Sequence, residues 1–205
     1  MIIGICGGSG SGKTTLLRRL YNEFSHLNPS IFSMDNYYYP IDQQFVDEQG
    51  QYNFDLPTAL DEERLTADLN RLVSGEEILI REYHFNAPPD KNILITISPS
   101  ELIIVEGLFL FHYAGVRKLI DYSVFIEMNP KVQLDRRLYR DQESRGYTRE
   151  VILYQWKNHV LPCYENYLLP YEKEANFLYR NDEGDDDDFH QLVREISTKM
   201  DALKA

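Results

Sequence analysis

Two cysteines in 205 residues, Cys6 and Cys163, exclude a disulfide-stapled scaffold, and neither has metal-ligand spacing. Both are expected as reduced structural thiols, Cys6 within a buried strand. Positive charge is scarce: 21 lysines and arginines stand against 33 aspartates and glutamates, a formal net charge of −12. So acidic a chain lacks the basic face that general nucleic-acid binding needs, and any polyanion must meet locally concentrated positive charge. No apolar run approaches the roughly 20 residues of a membrane span. No basic segment and long apolar stretch open the chain either, because a glycine-rich run arrives by the seventh residue. The expectation is a soluble cytoplasmic protein with neither membrane nor nucleic acid as a partner. Internal repeats are absent, and the one low-complexity run, Asp185 to Asp188, reads as favourable charge at the start of a closing helix rather than as a cation site. With 43% apolar residues, the chain suits a single domain over 1–205.

What is present starts with an apolar strand-like run, Met1, Ile2, Ile3, Ile5 and Cys6. It leads into Gly7-Gly8-Ser9-Gly10-Ser11-Gly12-Lys13-Thr14, a complete GxxxxGK[ST] phosphate-binding loop. The glycines permit backbone dihedrals that turn successive N–H groups toward one anion, and the following helix points its positive end at the same place. Lys13 is then placed for the β and γ phosphates and the Thr14 hydroxyl for Mg²⁺, with Thr15 ending the ATP-binding stretch. Leu16, Leu17, Leu20, Phe24 and Leu27 predict the required helix over 13–27 independently of the motif.

Further along, strands and helices alternate as a doubly wound parallel α/β sheet requires. Ile31-Phe32-Ser33-Met34 predicts a second strand ending at Asp35. Leu65, Leu69 and Leu72 predict a helix over 61–74 that stops at Gly75. Short strands near 78–84 and 92–97 flank Pro88-Pro89-Asp90-Lys91 and predict an antiparallel hairpin, about 78–98, over the site. Leu102-Ile103-Ile104-Val105 is the continuous apolar run of a strand buried on both faces, and it ends at Glu106-Gly107. Strands are expected near 122–127 and 176–180, helices over 131–144 and 149–168 up to breaks at Pro162 and Pro170, and a closing helix bearing Phe189, Leu192, Val193, Ile196, Met200 and Leu203.

Ligands of such a sheet gather at the carboxyl ends of its strands, which singles out Asp35 and Glu106. Glu106 stands where an acid can reach Mg²⁺ directly or through water. Asp35 can accept the proton of an attacking hydroxyl and lie near the metal. Arg136, Arg137, Arg140, Arg145 and Arg149 supply the local positive charge within fourteen residues. With Gly146 breaking the helix, about 136–150 reads as a mobile arginine-rich lid that excludes water and neutralises the transferring phosphoryl group. The competing reading pairs these arginines with Asp135, Asp141, Glu143 and Glu150.

Together these motifs resemble the uridine kinase branch of the uridine kinase and phosphoribulokinase group. The resemblance rests on the phosphate loop, on Ser33-Met34-Asp35-Asn36-Tyr37-Tyr38, and on Tyr52-Asn53-Phe54-Asp55-Leu56-Pro57-Thr58-Ala59-Leu60-Asp61, which is similar to the family's NFDxPxAxD nucleoside stretch. It also rests on Glu82-Tyr83-His84-Phe85, Val105-Glu106-Gly107, Arg136-Arg137-Leu138-Tyr139-Arg140-Asp141 and Gln155. The resemblance implies ATP, with GTP as the alternative donor, and Mg²⁺ held by Thr14, Glu106 and Asp35. It implies Asp35 as general base, Lys13, Arg140 and Arg145 on the phosphates, and a nucleoside-like acceptor touched by Tyr38, Phe54, Asp55, Tyr83, Phe85, Arg137 and Gln155. A homo-oligomer, a tetramer, is implied as well.

Two departures fall on the acceptor side. Pro88 and Asp90 stand where the family has a histidine and then an arginine, and Tyr147 stands where it has a second lid arginine. His84 does not take the histidine's place, since a continuing strand would point it to the other face. The expected activity is transfer of the γ-phosphoryl group of ATP to the 5′-hydroxyl of uridine or cytidine. A kinase for another nucleoside, a sugar phosphate or a vitamin-like alcohol is the alternative. A nucleotide-responsive binding module is a second, opposed by the lack of NKxD and LSGGQ-like motifs.

Overall fold

A computed structural model describes residues 1–84, 93–181 and 186–204. Its centre is a five-stranded, wholly parallel sheet made of β1 (Ile2–Gly7), β2 (Ser30–Ser33), β5 (Ile103–Gly107), β6 (Tyr122–Glu127) and β7 (Phe177–Arg180), in the spatial order β2-β5-β1-β6-β7. β1 lies centrally, paired with β5 (Ile5 opposite Glu106) and β6 (Ile5 opposite Val124). Its side chains alternate between two cores, as a strand's period of two dictates. Ile3 and Ile5 pack with Leu16, Leu17 and Leu20 of α1 (Lys13–Glu23) and with Leu192 and Ile196 of α7 (Asp187–Lys204). Ile2 and Cys6 face the opposite core, which includes Leu65, Leu69 and Leu72 of α2 (Glu62–Val73). Both cysteines are free and buried.

Local chemistry sets the element ends. Asp61 Oδ1 accepts the Arg64 N–H at 3.0 Å and caps α2, and Gly75 beyond its last turn takes φ 91°, the left-handed conformation that glycine adopts without strain. α4 (Pro130–Arg145) starts with Asn129 as cap and proline in the first turn, and it stops at Gly146 with φ 71°. β3 (Ile78–Arg81) and β4 (Leu94–Ile97) form a separate antiparallel pair, Ile78 opposite Ile97, with Ile78 and Ile80 turned into the α2 core. The expected turn through Pro88 and Asp90, like Phe85, lies outside the described residues. β3 ends at Arg81, so strand alternation does not carry to His84, which contacts Glu82 at 2.9 Å. α3 (Ala114–Arg117) is a single short turn that no periodicity announced.

Pro162 corrects an expectation. The helix that opens as α5 (Arg149–Gln155) does not break there but continues through a π turn at Trp156–Val160, α6 (Leu161–Cys163) and a second π turn at Tyr164–Leu168. Proline breaks a helix by losing an N–H and crowding the carbonyl four residues back. The wider turn just before Pro162, closed by Leu161 N–H on Trp156 O, moves that carbonyl out of register and removes the conflict. Past Pro170 the chain follows a 3-10 path over Leu169–Glu174. The acidic run is also more engaged than a simple cap: Asp188 accepts from Arg180 N at 2.8 Å, and Asp186 pairs with Arg19 at 2.7 Å, while Asp185 is not among the described residues.

Candidate active site

The loop between β1 and α1 has the backbone its glycines suggest, with Gly10 at φ 83° and Gly12 at φ 96°. Two side chains that local sequence did not reveal hold it. Gln133 Nε2 of α4 donates to Ser9 O at 2.7 Å, and Asn181, just past β7, donates through Nδ2 to Ser11 O at 2.6 Å. Both lie so close that a Cβ on Gly8 would come within 2.3 Å of Gln133 Nε2, and one on Gly12 within 2.2 Å of Asn181 Nδ2. Lys13 Nζ caps two carbonyls of its own loop, Gly7 O at 2.9 Å and Gly8 O at 3.2 Å. Gly12→Ala therefore meets both a left-handed φ and a close polar contact. It is expected to weaken ATP binding at least tenfold by calorimetry, and parent-like affinity would contradict this account of the loop.

A cavity of about 510 Å³ opens over this loop. Ser9, Gly10, Gly12, Lys13, Thr14 and Thr15 form one wall, Asp35 and Glu106 lie at the strand ends, and Tyr38, Phe54, Asp55, Tyr83, Arg137 and Gln155 form the far side. Gly7, Gly8 and Ser11 belong to the loop but do not line the cavity; Ser11 is buried. Tyr52, Leu108 and Asn181, which are not among the expected site residues, line it too.

Glu106, the penultimate residue of β5, is almost fully buried, and its Oε1 accepts the Ser33 hydroxyl at 2.7 Å. Burial and then the negative charge of Asp35 push its carboxyl up to about 6 from 4.5, against the opposing pull of Lys13 and Ser33. A carboxyl held above its unfolded value contributes stability that is fully present below about pH 4.5 and is lost as pH rises through about 6. The difference is worth about 2 kcal/mol at neutral pH. Glu106→Gln is accordingly expected to raise the melting temperature of the ligand-free protein at pH 7.5, with the gain vanishing below pH 4.5. A variant less stable than the parent at pH 7.5 would contradict it.

Asp35 lies in a 3-10 turn (Met34–Tyr37) whose cap is the Ser33 hydroxyl, so the Asp35 carboxylate is not needed for the turn; none of the hydrogen bonds among the described residues engages it. Beside it, Tyr38 packs edge-on to Phe54 with ring centres 5.9 Å apart and at a tilt to Tyr83 at 5.4 Å. Burial, followed by the charges of Asp35 and Asp55, raises the Tyr38 phenol well above its ordinary range. The Tyr83 amide donates to Asn36 Oδ1 at 2.9 Å and fixes the segment after β3 to the turn that carries Asp35.

The arginines converge through one carboxylate. Asp141, fully buried, meets Arg140 Nε at 2.7 Å, Arg137 Nε at 3.3 Å and Arg145 Nη1 at 3.4 Å. Arg137 Nη1 donates to Ser9 Oγ at 2.8 Å, its Nη2 donates to Gln155 Oε1 at 3.3 Å, and it faces Asp55 Oδ2 at 3.9 Å. The two competing readings of these arginines thus meet in one arrangement, since Asp141 gathers guanidiniums that also line the cavity. Arg136 joins them there. Arg149 is not among the lining residues: it opens α5 after the break at Gly146. Tyr147, whose amide donates to Asp141 O at 3.1 Å, stands in the cavity wall as well.

A phosphate loop at the carboxyl end of a central parallel strand, facing carboxylates and an arginine-bearing helix across one cavity, defines a P-loop kinase. The model of the Phosphoribulokinase / Uridine kinase family matches residues 2–181, and the chain belongs to that family and is an ATP-dependent kinase. It is 32% identical to a uridine kinase of Brevibacillus brevis over 87% of this chain and 83% of that one. It is 29% identical to the uridine kinase-like protein 3 of Arabidopsis thaliana over 97% of this chain, which spans 43% of that longer relative. Among solved structures, the phosphoribulokinase of Rhodobacter spheroides superposes with a TM-score of 0.66 at 15% identity, covering 87% of this chain and 69% of that one, a likeness of fold.

Proposed function

We propose that this kinase transfers the γ-phosphoryl group of ATP to the 5′-hydroxyl of a pyrimidine nucleoside, uridine or cytidine, with Asp35 as general base. The observation that carries the reading is the two-sided cavity, a phosphate cradle on one wall and a cluster of aromatic rings with a buried carboxylate, Asp55, on the other. Tyr38, Phe54 and Tyr83 offer apolar faces to a planar base, and Asp55 offers acceptor oxygens to ribose hydroxyls. Asp35 lines the same cavity, where it would take the proton of an acceptor hydroxyl as that oxygen bonds to the γ-phosphorus and the bond to the bridging oxygen breaks to release ADP.

On the donor side, Lys13 holds the Gly7 and Gly8 carbonyls with two of its three N–H donors, which leaves the third and the full positive charge for the nucleotide phosphates. Arg140 and Arg145, steered by Asp141, then face the phosphoryl group in flight. Thr14, Glu106 and Asp35 supply the hard oxygen donors that suit Mg²⁺, which when bound neutralises phosphate charge. Among the described residues no group of three or more His, Cys, Asp and Glu gathers to hold a metal unaided. That suits an ion shared between one or two carboxylates and the nucleotide.

A second reading, a kinase for another alcohol, draws on Tyr147, which lines the cavity where the family pattern has an arginine. An ATP-consumption assay over uridine, cytidine, purine nucleosides, sugar phosphates and pantothenate-like alcohols, with product masses, separates the two. The fastest transfer is expected on uridine or cytidine, and failure of both retires the first reading.

A further inference from the structure

Outside the cavity, two side chains, Tyr154 and His159, meet on the carboxylate of Asp47, more than a hundred residues earlier in the chain. Asp47 Oδ2 accepts the Tyr154 hydroxyl at 2.9 Å and lies 2.8 Å from His159 Nε2. The His159 side chain is 3% exposed and that of Asp47 14%. Asp47 Oδ1 meanwhile accepts the amides of Gln49 at 2.9 Å and Gln51 at 2.8 Å. Burial opposes charge on this carboxyl, but the hydrogen bonds from Gln51, His159, Tyr154 and Gln49 outweigh it and hold it at about 2. An ionised carboxylate can only accept, so His159 donates through Nε2–H.

What the cluster joins gives it a role. Asp47 closes a small turn, its backbone paired with Gln51 and Gly50, at the tip of a hairpin in which Val46 bridges Tyr52. The returning arm runs through Asn53, whose amide donates to Phe45 O at 2.8 Å and whose Oδ1 accepts the Asp55 amide at 2.9 Å. Phe54 and Asp55 of the cavity wall thus follow directly on the hairpin arm whose turn Asp47 organises. On the other side, Tyr154 precedes Gln155, the partner of Arg137. Residues five apart on an α-helix lie about 140° apart around the axis. The π turn at Trp156–Val160 widens the winding and brings His159 beside Tyr154, ring centres 5.8 Å apart, so that both reach one oxygen.

We propose that Asp47, His159 and Tyr154 form a latch of positioning residues that sets the acceptor wall, fixing the hairpin that leads into Phe54 and Asp55 against the helix bearing Gln155. The inference rests on the acceptor reading of that wall. His159→Phe removes the donor while filling the space; His159→Gln keeps an N–H near the Nε2 position. For His159→Phe, the acceptor KM is expected to rise roughly tenfold, the loss of one hydrogen bond to a charged group, with ATP KM and kcat within twofold of the parent; His159→Gln is expected to restore most of the change. Hydrogen exchange in the ligand-free protein provides a readout independent of turnover: the Asn53 and Asp55 amides are expected to exchange at least tenfold faster in His159→Phe. Unchanged exchange, or equal rises in both KM values, overturns the latch. A parent enzyme inactive on every pyrimidine nucleoside overturns the acceptor reading instead, and the exchange arm still decides whether the latch exists.

Discussion

Asp35→Asn is expected to reduce turnover by a factor between about 10² and 10⁴ while ATP binds with parent-like affinity. The substitution preserves volume and leaves the 3-10 turn intact, because the Ser33 hydroxyl, not the Asp35 carboxylate, caps it. It removes the group that takes the proton from the acceptor oxygen. It also removes the second of the causes that raise the Glu106 carboxyl, so Glu106 becomes easier to ionise and remains, with Thr14, on the metal side. Single-turnover kinetics together with calorimetric ATP affinity check this, and a rate within tenfold of the parent would remove Asp35 from the role of base.

The second large effect falls on stability. Asp141→Ala is expected to cost about 3 to 5 kcal/mol, the range for breaking a buried ion pair by deleting one partner. Arg137 decides this magnitude: its side chain is 7% exposed, whereas Arg140 at 38% and Arg145 at 26% can turn toward water when their partner goes. For a chain of this length the cost corresponds to a fall in melting temperature on the order of 10 °C. Arg140 and Arg145 would lose their common anchor, so a raised ATP KM should accompany the thermal shift. Calorimetric unfolding of parent and variant measures the first effect, and a shift under 2 °C at unchanged ATP KM would show that Asp141 does not organise the arginines.

The parts legible in the sequence were those whose causes are local. The Met1–Cys6 run and the glycine loop specify a strand, a turn and a helix in succession, and Leu102–Val105 reads as doubly buried because it holds the place in the sheet between β2 and β1. Leu65, Leu69, Leu72 and Gly75 mark α2 and its end for the same reason. Pro162 was misleading because its usual effect presumes an α-helical turn before it, and the π turn there has no simple residue signature. Arg149 was grouped with the cavity arginines by proximity, although the left-handed Gly146 redirects the chain before it. Gln133 and Asn181 gave no signal, since each acts on the loop across more than a hundred residues of chain. Asp47 and His159, 112 residues apart, are of the same kind.

For the candidate site, Lys13, Thr14, Asp35, Tyr38, Phe54, Asp55, Tyr83, Glu106, Arg137, Arg140, Arg145 and Gln155 all lie around one cavity. Motif segments could indicate these residues because each occupies a strand end, a turn or one face of a helix. Their mutual arrangement depends on contacts between elements, such as Arg137 reaching Ser9, Gln155 and Asp55 at once.

The most direct measurement of the central claim is the phosphorus-31 NMR spectrum of the product formed from uridine, ATP and Mg²⁺. Transfer to the 5′-hydroxyl predicts one new phosphomonoester resonance split into a triplet by the two 5′ protons, absent when the acceptor is omitted. A doublet for that phosphomonoester, which a secondary hydroxyl would give, or inorganic phosphate as the only new species besides ADP, would contradict it.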